Sequence, residues 1–495
     1  MGYTIQKNTD EILQAGATDF PTDDVPYLAA GAVTSGTNYK SEWSMMSWLA
    51  RVNYTLAGKY LFTATVRSDG SSRFGAQNRW GTFPSFSVAY RLSDESFMKP
   101  ASFISDMKIR ASYGIAGNNL IPNYASQGLL GILRNVQGGQ VVSGVVPNSL
   151  ANDVLTWEQS VQTNLGLDLS LFQNRLSFVF DAYRTYKKNL LLNVILPAAS
   201  GFGSSVQNIG EVENKGLELT INSQNIAKGP FQWSTDFNIS WNRNKVLALN
   251  SESSRIQTSD FQVAQVGQPI SSFRLLNILG VFQTQEEVNS SPKQHPRVQP
   301  GDYRYQDVNG DGTITAADRT IVGSPCPDIT WGLGNRVAYK NLSLNLSLNG
   351  SQGNEIYFQG GEVSLNGAGV QNQLASMNDR WRSVENPGAG LYSRAIRNDY
   401  AFGFSSVTTK YLFDGSFVRI RNVNLSYAFP QPLASKLKLQ ALSVYADVTN
   451  LYTFTKYPGY DPEGSTTGDN VARSGIDFFA YPNPRTYTLG LRVTL

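Results

Sequence analysis

The residues with the clearest potential for chemistry lie in one twelve-residue stretch, Asp307 to Asp318, which reads DVNGDGTITAAD. Its first, third, fifth, seventh and twelfth positions hold Asp307, Asn309, Asp311, Thr313 and Asp318, and Gly312 is sixth. This spacing matches the loop with which EF-hand proteins bind calcium, except that Asp replaces the usual Glu at the end. Calcium is therefore the expected ligand, bound weakly because Asp318 is short, and its role would be to stiffen a long loop. The alternative is an Asn-Gly and Asp-Gly turn with solvated carboxylates.

A second group of candidate binding residues consists of aromatic side chains in two Gly-rich stretches near the C-terminus. A glycan would need exposed aromatic rings with amide and carboxylate neighbours. The candidates for substrate binding are Tyr392, Tyr400, Phe402, Tyr457 and Tyr460. The alternative is that these rings pack against each other or against a partner.

The sequence contains few residue patterns that are typical of a catalytic site. The chain has one cysteine, Cys326, and one histidine, His295, so disulfides within the chain and Cys/His metal clusters are excluded. His295 lies in a stretch flanked by prolines, where a solvated loop residue is expected. Paired carboxylates at a useful spacing, a nucleophile elbow and a phosphate-binding loop are not found, so we expect that the protein is not an enzyme. The balance of 41 basic and 38 acidic residues gives no reason to expect a nucleic-acid partner.

Alternation of apolar and polar residues is the main pattern that could position these groups. From Phe231 to Trp241 the apolar or threonine side chains and the polar side chains fall on opposite faces. The same alternation recurs at residues 60–66, 86–92, 109–115, 161–169, 176–182, 342–348, 442–448 and 487–495. The pattern predicts about fifteen antiparallel strands, each with one apolar and one polar face.

The connections between these strands come in two lengths. Ala57-Gly58, Gln173-Asn174 and Lys340-Asn341 are short enough for hairpin turns. Long Gly/Ser/Asn/Pro-rich stretches separate the other strands, at about residues 116–156, 188–211, 245–327, 353–410 and 451–484. Tight turns at one end and long loops at the other are typical of barrels in the bacterial outer membrane. A soluble β-sandwich that serves as a surface adhesin or structural extracellular protein is the alternative, but ten-residue strands fit a tilted membrane crossing better.

Motifs in the expected order along the chain are similar to those of the SusC/RagA family of TonB-dependent receptors. They are GKYLFTATVRSDGSSRFG from Gly58, NRWGTFPS from Asn78, KIRASYGIAGNN from Lys108, ENKGLEL from Glu213, DVNGDG from Asp307, FVRIRNV from Phe417 and DVTNL from Asp447. The resemblance covers essentially the whole chain. It departs at Leu495, where these barrels usually end in an aromatic residue.

The resemblance implies part of a 22-stranded outer-membrane β-barrel that imports glycans or peptides too large for porins. Its implied partners are membrane lipid, a SusD-like lipoprotein that closes the outer mouth as a lid, the TonB complex, and an oligosaccharide or peptide substrate. Counting strands backward from a periplasmic C-terminus predicts that the 245–327, 353–410 and 451–484 loops are extracellular. The 245–327 segment is thus predicted to be an extracellular insertion that carries the calcium-like loop.

The family's signal peptide, plug domain and TonB-contacting segment have no matching residues in this sequence. Residues 1–495 are therefore expected to be the C-terminal part of the barrel. An open sheet would leave two strand edges unpaired in hydrocarbon, at a cost of several kcal/mol for each unpaired backbone group. We accordingly expect a fragment that does not assemble alone, with TonB contacted through the missing N-terminal region.

Overall fold

The structure is a computed structural model, and it describes residues 1–249, 255–367, 371–396, 407–468 and 473–495. The chain folds almost entirely as strands. The first strands are β1 (Gly2–Thr18), β2 (Ala32–Leu56), β3 (Tyr60–Ser71), β4 (Trp80–Arg91), β5 (Ile104–Asn118), β6 (Leu130–Gln137), β7 (Gln140–Pro147), β8 (Glu158–Leu171), β9 (Leu176–Lys188), β10 (Leu191–Ile195), β11 (Ser204–Asn208), β12 (Glu211–Ile226) and β13 (Phe231–Ala248).

The second half of the chain alternates long strands with short ones. These are β14 (Arg255–Gln257), β15 (Gln262–Gln265), β16 (Ser272–Leu275), β17 (Ile278–Val281), β18 (Tyr303–Tyr305), β19 (Thr320–Gly323), β20 (Ile329–Tyr339), β21 (Leu342–Gln352), β22 (Glu355–Phe358), β23 (Leu412–Asp414), β24 (Phe417–Ala428), β25 (Ala441–Thr455), β26 (Ile476–Asp477) and β27 (Thr486–Thr494). Three short helices are α1 (Gln285–Ser290), α2 (Gly361–Ser364) and α3 (Gln431–Lys436).

One large sheet contains 14 of the strands in the described part of the chain. Its order is β1-β2-β3-β4-β5-β8-β9-β12-β13-β20-β21-β24-β25-β27, so sequence neighbours are also sheet neighbours apart from the small strands within the long loops. Its strands pair antiparallel, for example β20 with β21 and β24 with β25. The large antiparallel sheet predicted from the alternation is therefore confirmed, and its 14 strands compare with about fifteen expected.

The tight turns form where the sequence predicts them. β2 and β3 are joined through Ala57 and Gly58, whose φ angles are 53° and 71°. Positive φ at both central residues is the geometry that matches the twist of a hairpin. The long connections are also present, but they contain small strands that the alternation pattern did not identify, including the β6-β7 and β10-β11 hairpins.

The chain divides into two compact units. The first comprises residues 1–90, 111–164 and 185–211, and it holds a core of Phe74, Phe83, Ile121, Leu155 and Trp157. The Trp157 indole N–H donates a hydrogen bond to the carbonyl oxygen of Arg79 at 3.0 Å. This buried ring therefore anchors a loop segment as well as filling the core.

The second unit comprises residues 91–110, 165–184 and 212–495, and its long strands have two chemically different faces. On one face Leu344, Leu425 and Leu489 stand exposed, Leu489 to 86%. On the other, Asn345 donates to Asn424 (3.4 Å) and Asn424 to the Asp447 carboxylate (3.0 Å). The period of two thus gives the sheet one apolar face and one hydrogen-bonded polar face on opposite sides, as predicted.

No helix in the described part of the chain has both the length and the apolar character needed to cross a membrane.

Candidate functional site

The predicted calcium loop is a compact turn between β18 and β19. Asp307 accepts hydrogen bonds from the backbone N–H groups of Gly310 (2.7 Å) and Gly312 (2.9 Å). Asn309 and Asp311 each accept a hydrogen bond from the N–H two residues further on, at 2.9 and 2.8 Å. Such side-chain to backbone bonds are what Asp and Asn use to form tight turns. The loop geometry is thus determined by the residues that were predicted as ligands.

Asp318, the residue at the twelfth position, is fully buried. Its carboxylate accepts hydrogen bonds from the N–H groups of Val308 (3.0 Å) and Thr315 (2.8 Å), and it forms a capping box with Thr315. Burial opposes ionisation, but these N–H donors outweigh it and lower the pKa of Asp318. The carboxylate therefore ties the two ends of the loop together.

The fit of this loop to a calcium ion is incomplete. Among the described residues, no group of three or more His, Cys, Asp or Glu side chains is arranged to hold a metal ion. Calcium at this loop would also need the Asn309 side chain and the Thr313 carbonyl, because calcium takes six to eight oxygen ligands. The turn is already stabilised by its own hydrogen bonds, as the alternative interpretation expects. Calcium binding stays a prediction.

Three long loops of the second unit share a hydrophobic core, called the loop core below. Its buried residues are Phe261, Phe273, Leu275, Ile356, Tyr357, Phe358, Leu365, Met377, Val407, Tyr411, Tyr457 and Ile476. They come from all three connections, β13 to β20, β21 to β24 and β25 to β27. The Tyr357 ring stacks on Phe261 with centroids 4.2 Å apart and meets Tyr411 edge to face. The loops therefore form one packed body instead of three separate solvated segments.

Hydrogen bonds between the loops reinforce this core. The N–H of Tyr357 donates to the carbonyl of Gly475 at 2.9 Å, and β22 pairs in parallel with β26. The fully buried Gln262 amide donates to the carbonyl of Ser474 at 2.6 Å. These hydrogen bonds thereby hold together loop segments that lie more than 200 residues apart in the sequence.

A buried ion-pair network fastens the last long loop to the large sheet. Arg419, on β24, is 1% exposed. Its guanidinium pairs with Asp461 (2.5 Å) and Glu463 (2.6 Å) and donates to the Thr453 hydroxyl (2.9 Å). Asp461 also accepts hydrogen bonds from the backbone and side-chain nitrogens of Asn483, both at 3.0 Å. Each charged group in the network therefore has a partner of opposite charge, which a buried charge requires.

The predicted substrate-binding aromatics have different surroundings. Tyr457 is 5% exposed and its hydroxyl donates to Asp477 at 2.6 Å, so it has the packing role that the sequence left open as the alternative. Tyr392 packs, partly buried, against the loop core. Tyr460 is 69% exposed and remains available to a ligand. Tyr400 and Phe402 lie outside the described residues.

The sequence patterns predicted no role for two residues of this region. They are Arg419 and Glu362, whose side chain accepts a hydrogen bond from the Tyr357 hydroxyl at 3.1 Å. Burial raises the pKa of Glu362 to about 7; the Asp260 carboxylate adds to the rise, and the Tyr357 bond opposes it. The partners of Arg419 lie 42 and 44 positions away, so no local signal could have found them.

Known proteins place this architecture in a family. The model of the family described as "TonB dependent receptor-like, beta-barrel" matches residues 2–451. The chain is 39% identical over 507 residues to "TonB-dependent receptor P3" of Formosa agariphila, covering 99% of the chain and 50% of that protein. It is 31% identical over 477 residues to "TonB-dependent receptor SusC" of Bacteroides thetaiotaomicron, covering 92% of the chain and 44% of that protein.

A solved structure described as "Structure of the RagAB peptide transporter" has the same fold. It superposes with a TM-score of 0.84 at 24% identity, over 99% of this chain and 52% of that one. The chain thus spans about half the length of the relatives that it matches. The predicted resemblance to SusC and RagA is confirmed, and the adhesin alternative is not favoured. The chain belongs to the TonB dependent receptor-like β-barrels, which are proteins of the bacterial outer membrane.

Proposed function

We propose that this chain forms part of an outer-membrane transporter for the active import of large nutrients, either glycans or peptides. The observation that carries the proposal is the two-faced sheet, which belongs to a family of TonB-dependent receptor barrels. Exposed leucines on one face suit hydrocarbon, and linked amides and carboxylates on the other suit a hydrated interior. The role is one of transport, without a catalytic step.

The proposed partners follow from the same assignment. The TonB complex would supply the energy for import, and a SusD-like lipoprotein would close the end that carries the long loops. The loop core supports this placement because it gives the three loops one rigid surface on which a lid could rest. The substrate class stays open between oligosaccharide and peptide, and Tyr392, Tyr400, Phe402 and Tyr460 remain proposed contacts.

Deletion of the gene in its natural host tests the function. We expect loss of growth on one class of polymer, either a glycan or a peptide mixture, with restoration by the full-length gene. Restoration should fail when the TonB complex is inactivated. Normal uptake of every polymer after deletion would contradict the proposal, as would a protein that stays monodisperse in buffer without detergent.

A further inference from the structure

A cavity of about 280 Å³ lies in the second unit, next to residues that adjoin the loop core in sequence. It is bordered by β13, by the connection between β15 and β16, by the end of β19 with the loop that follows it, and by the junction of β21 and β22. Charged and amide groups line it, including Arg243, Asp328, Gln268 and Glu355. As far as the structure describes the lining, no aromatic ring takes part in it.

Most of these polar groups already have partners. Arg243 is ion-paired with Asp328. The side-chain oxygen of Asn244 accepts a hydrogen bond from the N–H of Ile270 at 2.7 Å, and its nitrogen donates to Asn214 at 2.8 Å. These groups therefore shape the cavity, and their charges cancel.

Glu355 is the exception. This half-buried carboxylate accepts a hydrogen bond from the N–H of Ser324 at 2.8 Å, and no lysine or arginine of the described residues forms an ion pair with it. Burial raises the pKa of Glu355, and the charges of Asp414 and Asp328 add to the rise. The cavity therefore holds a carboxylate whose charged form is disfavoured by burial and by its acidic neighbours, and a cation bound beside it would stabilise that charged form.

Two glycines leave room for the carboxylates at the cavity wall. A Cβ atom on Gly323 would lie 2.8 Å from the carboxyl carbon of Glu355, and one on Gly353 would lie 2.8 Å from the Asp328 side chain. Both separations are shorter than real side chains tolerate. Only glycine at these positions allows the two carboxylates to approach the cavity wall so closely.

We infer that this cavity is a subsite for a cationic group of an imported peptide, an ammonium or guanidinium, which pairs with Glu355. The inference rests on the proposed import function and specifies where one part of a substrate binds. The volume of about 280 Å³ lies just below the range for ligand pockets, about 300–1,000 Å³, so it suits one side chain and not several sugar rings. A sugar ring would also lack an aromatic surface here.

The test uses the full-length transporter in detergent and two matched probes. These are the capped tripeptides acetyl-Ala-Lys-Ala-amide and acetyl-Ala-norleucine-Ala-amide, which differ in the ammonium group. Calorimetry should show about ten-fold tighter binding of the lysine peptide, as expected for one charge-assisted hydrogen bond. Glu355→Gln should abolish this preference, and Glu355→Asp should keep part of it. Glu362→Gln is the control, since it neutralises another half-buried carboxylate of the same loops that does not line the cavity.

Equal binding of the two probes by the parent protein, or a lysine preference that survives Glu355→Gln, would overturn the inference. If Glu355→Gln does not fold to a heat-modifiable barrel, Glu355→Asp replaces it in the binding test, because this variant keeps the carboxylate. Polymer uptake separates this result from the wider proposal. If uptake depends on the gene but binding shows no lysine preference, only the subsite proposal is rejected. If uptake does not depend on the gene, the proposed import function is rejected.

Discussion

Arg419 is the one buried lysine or arginine in the described part of the chain, and its substitution has a clear expected cost. Removing one partner of a buried ion pair leaves the other charge uncompensated, which typically costs about 3–5 kcal/mol. Arg419→Met should therefore lower the local stability of residues 457–468 by this order and increase their hydrogen exchange.

Arg421 provides a matched control for this prediction. It pairs with the same Glu463, at 3.5 Å, but its side chain is 46% exposed. Exposed ion pairs are worth about 0–1 kcal/mol, so Arg421→Met should change exchange little. Similar exchange in the two variants would show that burial of Arg419 does not determine the stability of this loop.

The loop from Asp307 to Asp318 offers a second test on single residues. If calcium binds, Asp307→Ala combined with Asp311→Ala should remove the calcium-dependent protection of residues 300–325 from protease. Both side chains also stabilise the turn through backbone N–H groups, so the double variant should be cleaved faster even with chelator present. Equal cleavage of the parent with calcium and with chelator would reject the ion site.

The loop core is the structural element that should respond to pH. The ordinary pKa of Glu362 is 4.5, and in the folded loops it is raised to about 7. A raised carboxyl pKa means that the folded state holds the proton more tightly. Its contribution to stability is therefore fully present below about pH 4.5 and is lost as pH rises through 7.

Glu362→Gln should remove this dependence, because a neutral amide does not titrate. The measurement is the rate of protease cleavage within residues 353–367 in the parent divided by the rate in the variant at the same pH. Because the protease's own pH dependence affects both rates equally, the ratio reports the titration of Glu362 alone. We expect the ratio to rise between pH 5.5 and 8.5. The exposed Glu286 of α1, changed to Gln, should leave a flat ratio; a flat ratio for Glu362→Gln as well would refute the prediction.

The orientation of the molecule in the membrane is still a prediction. Counting strands places the 245–327 segment outside the cell, and the loop core requires the other two long loops to lie at the same end. Val308→Cys offers an exposed position, 46% accessible and free of the positive φ that glycine adopts at residue 310. Labelling of intact cells by a membrane-impermeant thiol reagent, in a Cys326→Ser background, is expected. Labelling only after lysis would reverse the assigned topology.

Alternation and turn chemistry determined the large sheet without any knowledge of the tertiary structure. Both signals are local, since side chains on a strand repeat every two residues and a tight turn needs only adjacent residues such as Ala57 and Gly58. The motifs from Gly58 to Asp447 were sufficient to indicate the family for the same reason, because each is a continuous string.

The contents of the long loops were decided only by tertiary structure. Gln262 meets Ser474 from 212 positions away, the partners of Arg419 lie 42 and 44 positions away, and the loop core joins three separate loops. No period or spacing encodes such contacts, because they form only when segments from different loops are brought together. The sequence therefore identified Tyr457 as an aromatic residue of a long loop, whereas its burial against Phe358 and Phe413 depended on which other loop packed around it.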